Sequence, residues 1–252
     1  MRLPDTILIT GANGQSAVKI ARDLLLQGCK LLLLAHNRTD RIDRIMSEFP
    51  DQCWLEKCNL SSFDKTKQAV SELEKRSGLV PNGLIHTAAL RSYDAKALAE
   101  SDPAIWTEII SQNISMAYNV LRSVLPKLQQ KKQGKIVLFG SNVTRTGLPY
   151  GTSYAASKAA LANLARSLAW ELAVDNIQVN VISPAPLDTR LEEDYKGDYL
   201  AFRKEYFEAY KKSHPAHRLV SLDDVSKIVI SLLDLEMTSV SGEEIYLTGG
   251  VL

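Results

Sequence analysis

Short apolar runs alternate with longer segments of mixed polarity along the whole chain. The short runs are typical of buried strands and lie at residues 6–10, 30–35, 54–60, 83–89, 136–140, 177–182 and 241–247. The longer segments place apolar residues three or four positions apart, which predicts helices, most clearly at residues 18–27, 105–128, 154–172 and 221–235. This alternation, without linker or repeat, predicts an α/β fold: a doubly wound parallel sheet of about seven strands, with helices on both faces, in one domain over residues 1–252.

Near the N-terminus, a glycine-containing turn joins the first predicted strand to the first predicted helix. The turn has the sequence Gly11-Ala12-Asn13-Gly14-Gln15-Ser16-Ala17, and the helix ends at Gly28. Such a turn lets backbone N–H groups approach a pyrophosphate, and the helix N-terminus adds a favourable partial charge. A glycine turn alone is often only a tight connection, but its place after the first strand favours nucleotide binding.

A tyrosine and a lysine lie four residues apart in the long predicted helix, so Tyr154 and Lys158 share one helix face. A lysine charge roughly 5 Å from a phenol, at an effective dielectric of about 20, favours the phenolate by roughly 3 kcal/mol. That effect would bring the phenol pKa, ordinarily about 10, towards the range of a general acid/base. A tyrosine and a lysine four residues apart on a helix are common, and this pair alone would indicate only surface or core packing.

Ser141 strengthens the catalytic interpretation of this pair. It lies 13 residues before Tyr154 and directly follows the apolar run 136–140. A hydroxyl at the carboxyl end of a parallel strand lies where open α/β sheets bind ligands. Together with the glycine turn, this spacing makes a catalytic site the stronger hypothesis.

Ser141 and the Tyr154-x-x-x-Lys158 motif resemble the catalytic residues of the short-chain dehydrogenase/reductase family, in its short single-domain ketoreductase branch. The resemblance covers nearly the whole chain and implies a Rossmann fold with the catalytic set Asn113, Ser141, Tyr154 and Lys158. In this family, an asparagine at the position of Asn113 loosens its helix locally. The freed carbonyl then holds a water molecule that relays protons to the lysine.

The resemblance also implies a nicotinamide cofactor held at the carboxyl ends of the strands. The implied contacts are Gly11, Asn13, Gly14, Gln15, Ser16, His36, Asn37, Arg38, Asn59, Leu60, Ala88, Ala89, Tyr154, Lys158, Pro184, Leu187 and Thr189. The glycine loop departs from its branch, because Gln15 and Ala17 replace the last two glycines of Thr-Gly-x-x-x-Gly-x-Gly. Its spacing instead resembles the extended and atypical branches.

Three other cofactor contacts also depart from the family pattern. Asn59 replaces the aspartate that receives the adenine amino group, and it keeps a carbonyl acceptor. His86-Thr87-Ala88-Ala89 replaces Asn-Asn-Ala-Gly, and a hydrogen-bonded structural role for His86 is favoured over a catalytic base. Ala185 replaces the glycine of the turn in which Thr189 would bond the nicotinamide carboxamide.

The end of the second strand bears on the choice of cofactor. An NAD-type site places an acid there to accept the ribose 2′-hydroxyl, but no acid lies between Cys29 and Thr39. His36 and Arg38 would instead meet a 2′-phosphate, although a solvated loop charge is an equal alternative for Arg38. We therefore predict a preference for NADP(H) over NAD(H).

Residues 190–217 mix aromatic and charged side chains just after the implied nicotinamide turn. Aromatic residues three or four apart are typical of a helix face packed on the core. Their position makes a substrate lid an equal alternative. The aromatic residues are Tyr195, Tyr199, Phe202, Tyr206, Phe207 and Tyr210.

The composition of the chain limits the classes of binding partner that it favours. The 252 residues include 30 Lys and Arg against 29 Asp and Glu, so nothing favours nucleic acid or an anionic membrane. With no long apolar run and no signal peptide, the expected location is the cytoplasm. His214 and His217 lack a third ligand nearby, so no metal site is predicted.

The sequence thus predicts an NADP(H)-dependent oxidoreductase that interconverts a carbonyl and a secondary alcohol on a small molecule. Family resemblance implies a homodimer or homotetramer with the helices at 105–128 and 154–172 in the interface. A non-catalytic nucleotide-binding sensor is one alternative, suggested by the loop departures. An NAD-retaining epimerase or dehydratase is another, suggested by the glycine spacing.

Overall fold

The computed structural model describes residues 1–251, whose strands form one parallel sheet in the order β3-β2-β1-β4-β5-β6-β7. The strands are β1 (Thr6–Thr10), β2 (Lys30–Ala35), β3 (Cys53–Lys57), β4 (Gly83–His86), β5 (Gly134–Phe139), β6 (Ile177–Pro184) and β7 (Glu244–Leu247). The chain builds outward from β1 to β3, then returns to β4 and builds in the other direction. Strand order therefore reverses between β1 and β4, where α/β sheets of this kind open a ligand crevice.

Helices cover both faces of the sheet and confirm the predicted fold class. They are α1 (Gln15–Leu26), α2 (Asp40–Glu48), α3 (Phe63–Ser77), α4 (Pro103–Lys131), α5 (Val143–Thr146), α6 (Thr152–Leu172), α7 (Leu191–Asp194), α8 (Gly197–Ser213) and α9 (Leu222–Leu232). One apolar cluster joins α1, α2 and α9 to the sheet, and a second joins α3, α4 and α6 to the opposite face. Within β1, Ile7 and Ile9 belong to the first cluster and Leu8 to the second, as the alternation of a strand requires.

Element boundaries differ from the sequence prediction where small apolar residues line loops. β3 ends at Lys57 and β4 at His86, so residues 58–60 and 87–89 belong to loops at the carboxyl edge of the sheet. α1 begins at Gln15, three residues earlier than predicted, because Gly14 has extended backbone angles and forms its N-cap. β7 begins at Glu244, three residues later than predicted. None of the helices within residues 1–251 has the length and apolar character needed to cross a membrane.

Close packing between β5 and β6 fixes the position of the candidate catalytic serine. Backbone bonds from Gly140 N to Ile182 O (2.8 Å) and from Asn142 N to Pro184 O (3.1 Å) continue the pairing of these strands past Phe139. A Cβ atom on Gly140 would lie 2.3 Å from Ser183 Oγ and 2.8 Å from a methyl carbon of Val181. Glycine is therefore required immediately before Ser141.

Gly140→Ala should lower the free energy of unfolding by about 1–3 kcal/mol, because the added methyl group overpacks this junction. The cost should be smaller in a Ser183→Ala background, since that change removes the atom nearest the new methyl group. Urea unfolding of the two single variants and the double variant measures this coupling. An identical cost of Gly140→Ala in both backgrounds would show that the clash is relieved elsewhere.

Candidate active site

Three predicted catalytic side chains meet beside the end of β5. The Ser141 hydroxyl lies close enough to the Tyr154 phenol to lower its pKa, and Tyr154 is on the first turn of α6. One turn further along α6, Lys158 is buried and its Nζ donates to the Phe139 carbonyl at 2.6 Å. This ammonium group lies 5.6 Å from the centroid of the Tyr154 ring. The structure therefore brings the serine, tyrosine and lysine into one site.

Burial is the main influence on the pKa values of Tyr154 and Lys158. It raises the pKa of the Tyr154 phenol, while the charges of Arg91 and Arg203 and the nearby Ser141 hydroxyl act in the opposite direction. The pKa of Lys158 falls to about 7, chiefly through burial and secondly through Arg91. The prediction that the pKa of the Tyr154 phenol is lowered is therefore wrong. Helix spacing gives the nearness of the two groups but not the cost of burying their charges.

Asn113 connects the loop after β4 to the catalytic helix. Its side-chain oxygen accepts from Leu90 N at 2.7 Å, and its amide donates to Leu90 O at 2.8 Å and to Ser157 Oγ at 3.0 Å. Ser157 in turn donates to the Tyr154 carbonyl at 2.8 Å. α4 is continuous through Asn113, so the expected local loosening of this helix is not present. The buried side chain joins two parts of the site instead.

His86 has a structural environment. Its Nδ1 shares a hydrogen bond of 2.8 Å with Thr10 Oγ1, while its Nε2 is buried without a partner in residues 1–251. Burial, followed by the charge of Lys158, lowers its pKa to about 3, so the ring is neutral at neutral pH. Thr87 Oγ1 donates to the Thr10 carbonyl at 2.7 Å. These two residues tie β4 to β1 where the usual family asparagines would lie.

The glycine turn fits the diphosphate of a dinucleotide. Gly11 has φ +66°, and a Cβ atom there would lie 2.7 Å from Thr87 Oγ1 and 2.8 Å from Ala88 N. The first turn of α1 has no side-chain cap and no acidic residue. The N–H groups of Gln15 and Ser16 at this helix start are therefore suited to an anion.

Two loop residues predicted to contact cofactor have protein partners. Asn13 Oδ1 accepts from the backbone N–H groups of Arg41 (2.8 Å) and Ile42 (3.1 Å), so it caps the start of α2. Gln15, which replaces a family glycine, donates to Arg190 O at 3.0 Å and to Asp194 Oδ2 at 2.9 Å. It also accepts from Arg190 N at 2.9 Å. Gln15 thereby fastens the glycine turn to the segment after β6.

The adenosine end of the crevice is open beside the free edge of β3. A groove of about 590 Å³ brings together His36, Asn37 and Asn59, as the sequence predicts. The Asn59 oxygen already accepts from Ser61 N at 3.0 Å and Ser61 Oγ at 2.7 Å, so the acceptor expected for adenine is occupied within the loop. Leu60 is buried, and its carbonyl accepts from the side chain of Asn119.

Two arginines follow β2, and only one of them was identified from sequence. Arg38 pairs with Asp40 (3.2 Å) and donates to the Glu193 carbonyl (2.9 Å). Arg41 binds the carboxylates of Glu193 (2.9 Å) and Asp194 (2.8 Å), and its side chain is only 11% exposed. Arg41 lies on the first turn of α2, and no local motif in the sequence marks it.

The residues predicted to hold the nicotinamide lie on the loop after β4 and the turn after β6. Ala88 packs closely against Gly11, and Ala89 follows it. Pro184 ends β6, and Leu187 pairs with Val220 in an isolated parallel bridge. Thr189 Oγ1 donates to the Leu187 carbonyl at 3.4 Å. The predicted cofactor residues therefore lie on loops, on the first two turns of helices or, for Pro184, at the end of a strand along the carboxyl edge of the sheet.

Residues 190–217 contain α7 and α8, and their aromatic residues fall into two groups with different surroundings. Tyr195, Tyr199 and Phe202 make a row with ring centroids 5.5 and 5.7 Å apart. Further along, Phe207 and Tyr210 are buried, and the Tyr210 hydroxyl donates to the Thr248 carbonyl. The first half thus borders the crevice, while the second half packs on the core.

Comparison with known proteins agrees with this geometry. The family model described as Enoyl-(Acyl carrier protein) reductase matches residues 12–252. The chain belongs to the short-chain dehydrogenase/reductase family. A 3-oxoacyl-(acyl-carrier-protein) reductase, FabG, of Buchnera aphidicola is 26% identical over 246 residues, covering 98% of this chain and 96% of the relative. Nodulation protein G of Rhizobium sp. (strain N33) is 29% identical over 248 residues, covering 97% and 95%.

Solved structures of short-chain reductases share the fold. Levodione reductase superposes with a TM-score of 0.89 at 21% identity, over 99% of this chain and 98% of that one. The 3-oxoacyl-(acyl-carrier protein) reductase of Brucella melitensis gives 0.85 at 22% identity, over 98% and 90%. The present chain is thus a ketoreductase-type, NAD(P)-dependent member of the short-chain dehydrogenase/reductase family.

Burial of Lys158 has a consequence for stability. Its pKa is about 7 in the folded protein against 10.5 for an unperturbed lysine, so the unfolded chain binds more protons between these pH values. The free energy of unfolding should therefore rise with pH across this window, and Lys158→Met should flatten that rise. Lys96→Met, at an exposed lysine, serves as the control. Urea unfolding from pH 6.5 to 10 tests this, and equal slopes for wild type and Lys158→Met would contradict it.

Proposed function

We propose that this protein interconverts a carbonyl and a secondary alcohol on a small molecule, with NADP(H) as cofactor. The observation that carries the proposal is the Ser141 hydroxyl against the Tyr154 phenol, with Lys158 buried one turn along the same helix. The relatives named as 3-oxoacyl reductases support a ketone or its alcohol as the reacting group.

The residues along the crevice fit a nicotinamide dinucleotide. Gly11, Gly14 and the start of α1 would hold the diphosphate, and Lys158 and Tyr154 would face the nicotinamide ribose. Thr189 would bond the carboxamide. When bound, the nicotinamide supplies or accepts a hydride at the carbonyl carbon. Side chains of this protein would supply the rest of the chemistry, above all the proton for the substrate oxygen.

Tyr154 is suited to give that proton. Because burial raises its pKa, the phenol is protonated at neutral pH and donates to the oxygen as negative charge develops there. Ser141 donates a hydrogen bond to the same oxygen. After the transfer, Arg91 and Arg203 favour the phenolate, since both charges act to lower the phenol pKa. Asn113 holds the loop bearing Arg91 against the helix bearing Tyr154.

The cofactor choice follows from Arg38 and Arg41. A 2′-phosphate carries close to two negative charges at neutral pH. It would compete with Asp40, Glu193 and Asp194, which pair with these arginines in the present structure. Exchange of one set of ion pairs for another makes the NADP(H) preference modest, and the exposed Arg38–Asp40 pair contributes only about 0–1 kcal/mol.

Tyr154→Phe should lower kcat by about 10²- to 10⁴-fold, the usual contribution of a positioned proton donor. Its Kd for NADPH should stay within about twofold of wild type, because only a hydroxyl is removed. NADPH oxidation with a panel of ketones gives the rate, and fluorescence titration gives Kd. If Tyr154→Phe kept most of the wild-type rate, Tyr154 would not be the proton donor.

Arg41→Ala should weaken NADPH binding by about tenfold, equivalent to about 1.4 kcal/mol, and should leave NADH binding nearly unchanged. The effect should be larger at low salt. Arg44→Ala, an exposed arginine on the same helix, is the matched control. Titration of both cofactors into the three proteins tests this, and equal losses for NADPH and NADH would count against a 2′-phosphate site.

A further inference from the structure

Arg91 lies in the crevice without a carboxylate partner. It lies in the loop after β4, is accessible to solvent, and places its guanidinium carbon 4.8 Å from the centroid of the Tyr195 ring. Within residues 1–251, no carboxylate lies within 4.0 Å of this guanidinium. Its charge is therefore available to a ligand.

Arg203 reaches the same tyrosine from α8. Its guanidinium carbon lies 5.4 Å from the Tyr195 centroid and 4.6 Å from the Phe207 centroid. Its Nε is buried and has no hydrogen-bond partner in residues 1–251. A charged donor withdrawn from water without a partner is unfavourable, so this position favours a negatively charged group. Two guanidinium groups thus flank one tyrosine ring.

Hydrogen bonds place Arg91 beside the reacting phenol. Asn113 bonds both backbone groups of Leu90, the residue before Arg91, and also bonds Ser157. Ser157 bonds the Tyr154 carbonyl. This short chain of contacts fixes the backbone at Arg91 relative to Tyr154. Both arginines lie close enough to Tyr154 for their charges to lower the pKa of its phenol.

The acids around this point do not neutralise the two arginines. Asp194 is the carboxylate whose charge acts on Arg91. It is already bound by Arg41 at 2.8 Å and by Gln15 at 2.9 Å. Tyr199 borders the same space, and burial raises its pKa to about 12, so it adds no negative charge at neutral pH. Positive charge therefore exceeds negative charge around Tyr154.

We propose that Arg91, supported by Arg203, binds an anionic group on the carbonyl substrate, so that the substrates are small oxo acids. The proposal rests on the proposed function and names its substrate class. A guanidinium matches a carboxylate with two parallel hydrogen bonds, which gives direction as well as attraction. The rings of Tyr195 and Tyr199 would line the carbon chain between the carboxylate and the carbonyl.

Matched acids and esters test this specificity. The probes are 2-oxobutanoate, 3-oxobutanoate and 4-oxopentanoate, each with its methyl ester, at saturating NADPH. Wild type should reduce at least one acid with kcat/KM about tenfold or more above its ester. Arg91→Gln should remove that preference by lowering kcat/KM for the acid about 10- to 100-fold more than for the ester, whose own smaller loss reflects the charge that Arg91 contributes at Tyr154. Arg91→Lys should restore part of the preference.

Arg122→Gln is the control, because Arg122 also lies over aromatic rings, at 4.6 Å from Phe63, but on the α3–α4 surface. It should behave as wild type. Equal losses for acid and ester in Arg91→Gln would indicate a packing role at Tyr195 and overturn the proposal. A raised Kd for NADPH, with the acid preference intact, would assign Arg91 to the cofactor diphosphate and also overturn it.

A binding measurement separates this proposal from the proposed function. Calorimetric titration of each oxo acid into the protein with saturating NADP⁺ should show binding that Arg91→Gln weakens about tenfold or more. If no compound is reduced but this binding is observed, the anion site stands and the proposed reaction fails. If esters are reduced and no acid binds or is preferred in wild type, the reaction stands and the anion site fails.

Discussion

Burial of a lysine ammonium beside a tyrosine phenol is the constraint on which this site depends. Lys158 is held at the end of β5 by its bond to the Phe139 carbonyl, and burial brings its pKa to about 7. The same surroundings keep Tyr154 protonated at neutral pH. The absence of a side chain at Gly140 lets Ser141 approach this pair. Close packing of β5 on β6 thereby determines where a proton donor and a hydrogen-bond donor meet.

The segment after β6 joins the two ends of the crevice. Its acids Glu193 and Asp194 hold Arg41, and its backbone at Arg190 holds Gln15. A few residues later, Tyr195 stacks between the two arginines that face Tyr154. The glutamine that replaces a family glycine is therefore part of a network that links the cofactor loop to the substrate side. An anion at either end would act on the same short stretch of chain.

Local patterns predicted most of the fold and the proximity of Tyr154 and Lys158. Alternating apolar runs gave the strands, and four-residue spacing on one helix gave the nearness of Tyr154 and Lys158. The pKa of the phenol was beyond this reasoning, because its direction depends on burial that only the folded chain creates. Spacing also gave no sign that Asn13 would cap α2 or that Asn59 would bond its own loop. Both side chains satisfy backbone or hydroxyl groups close to them in space.

The residues missed from sequence are arginines that act through distant partners. Arg91 meets Tyr195 across about a hundred residues of chain, and Arg41 meets Glu193 across 152 residues. No local motif marks either one. Arginine is common on solvated surfaces, so only the fold shows that Arg91 faces the crevice and that Arg41 is mostly buried.

The most direct test of carbonyl reduction follows deuterium from NADPH labelled at C4 of the nicotinamide on the transferred face. A ketone substrate should give an alcohol that carries the deuterium on the carbinol carbon, as mass spectrometry and proton NMR would show. An unsaturated thioester, the substrate type suggested by the description of the matching family model, would instead take the label at a carbon of its former double bond. Label at the carbinol carbon is the result this account predicts; label only at a double-bond carbon, or no transfer to any ketone, would contradict it.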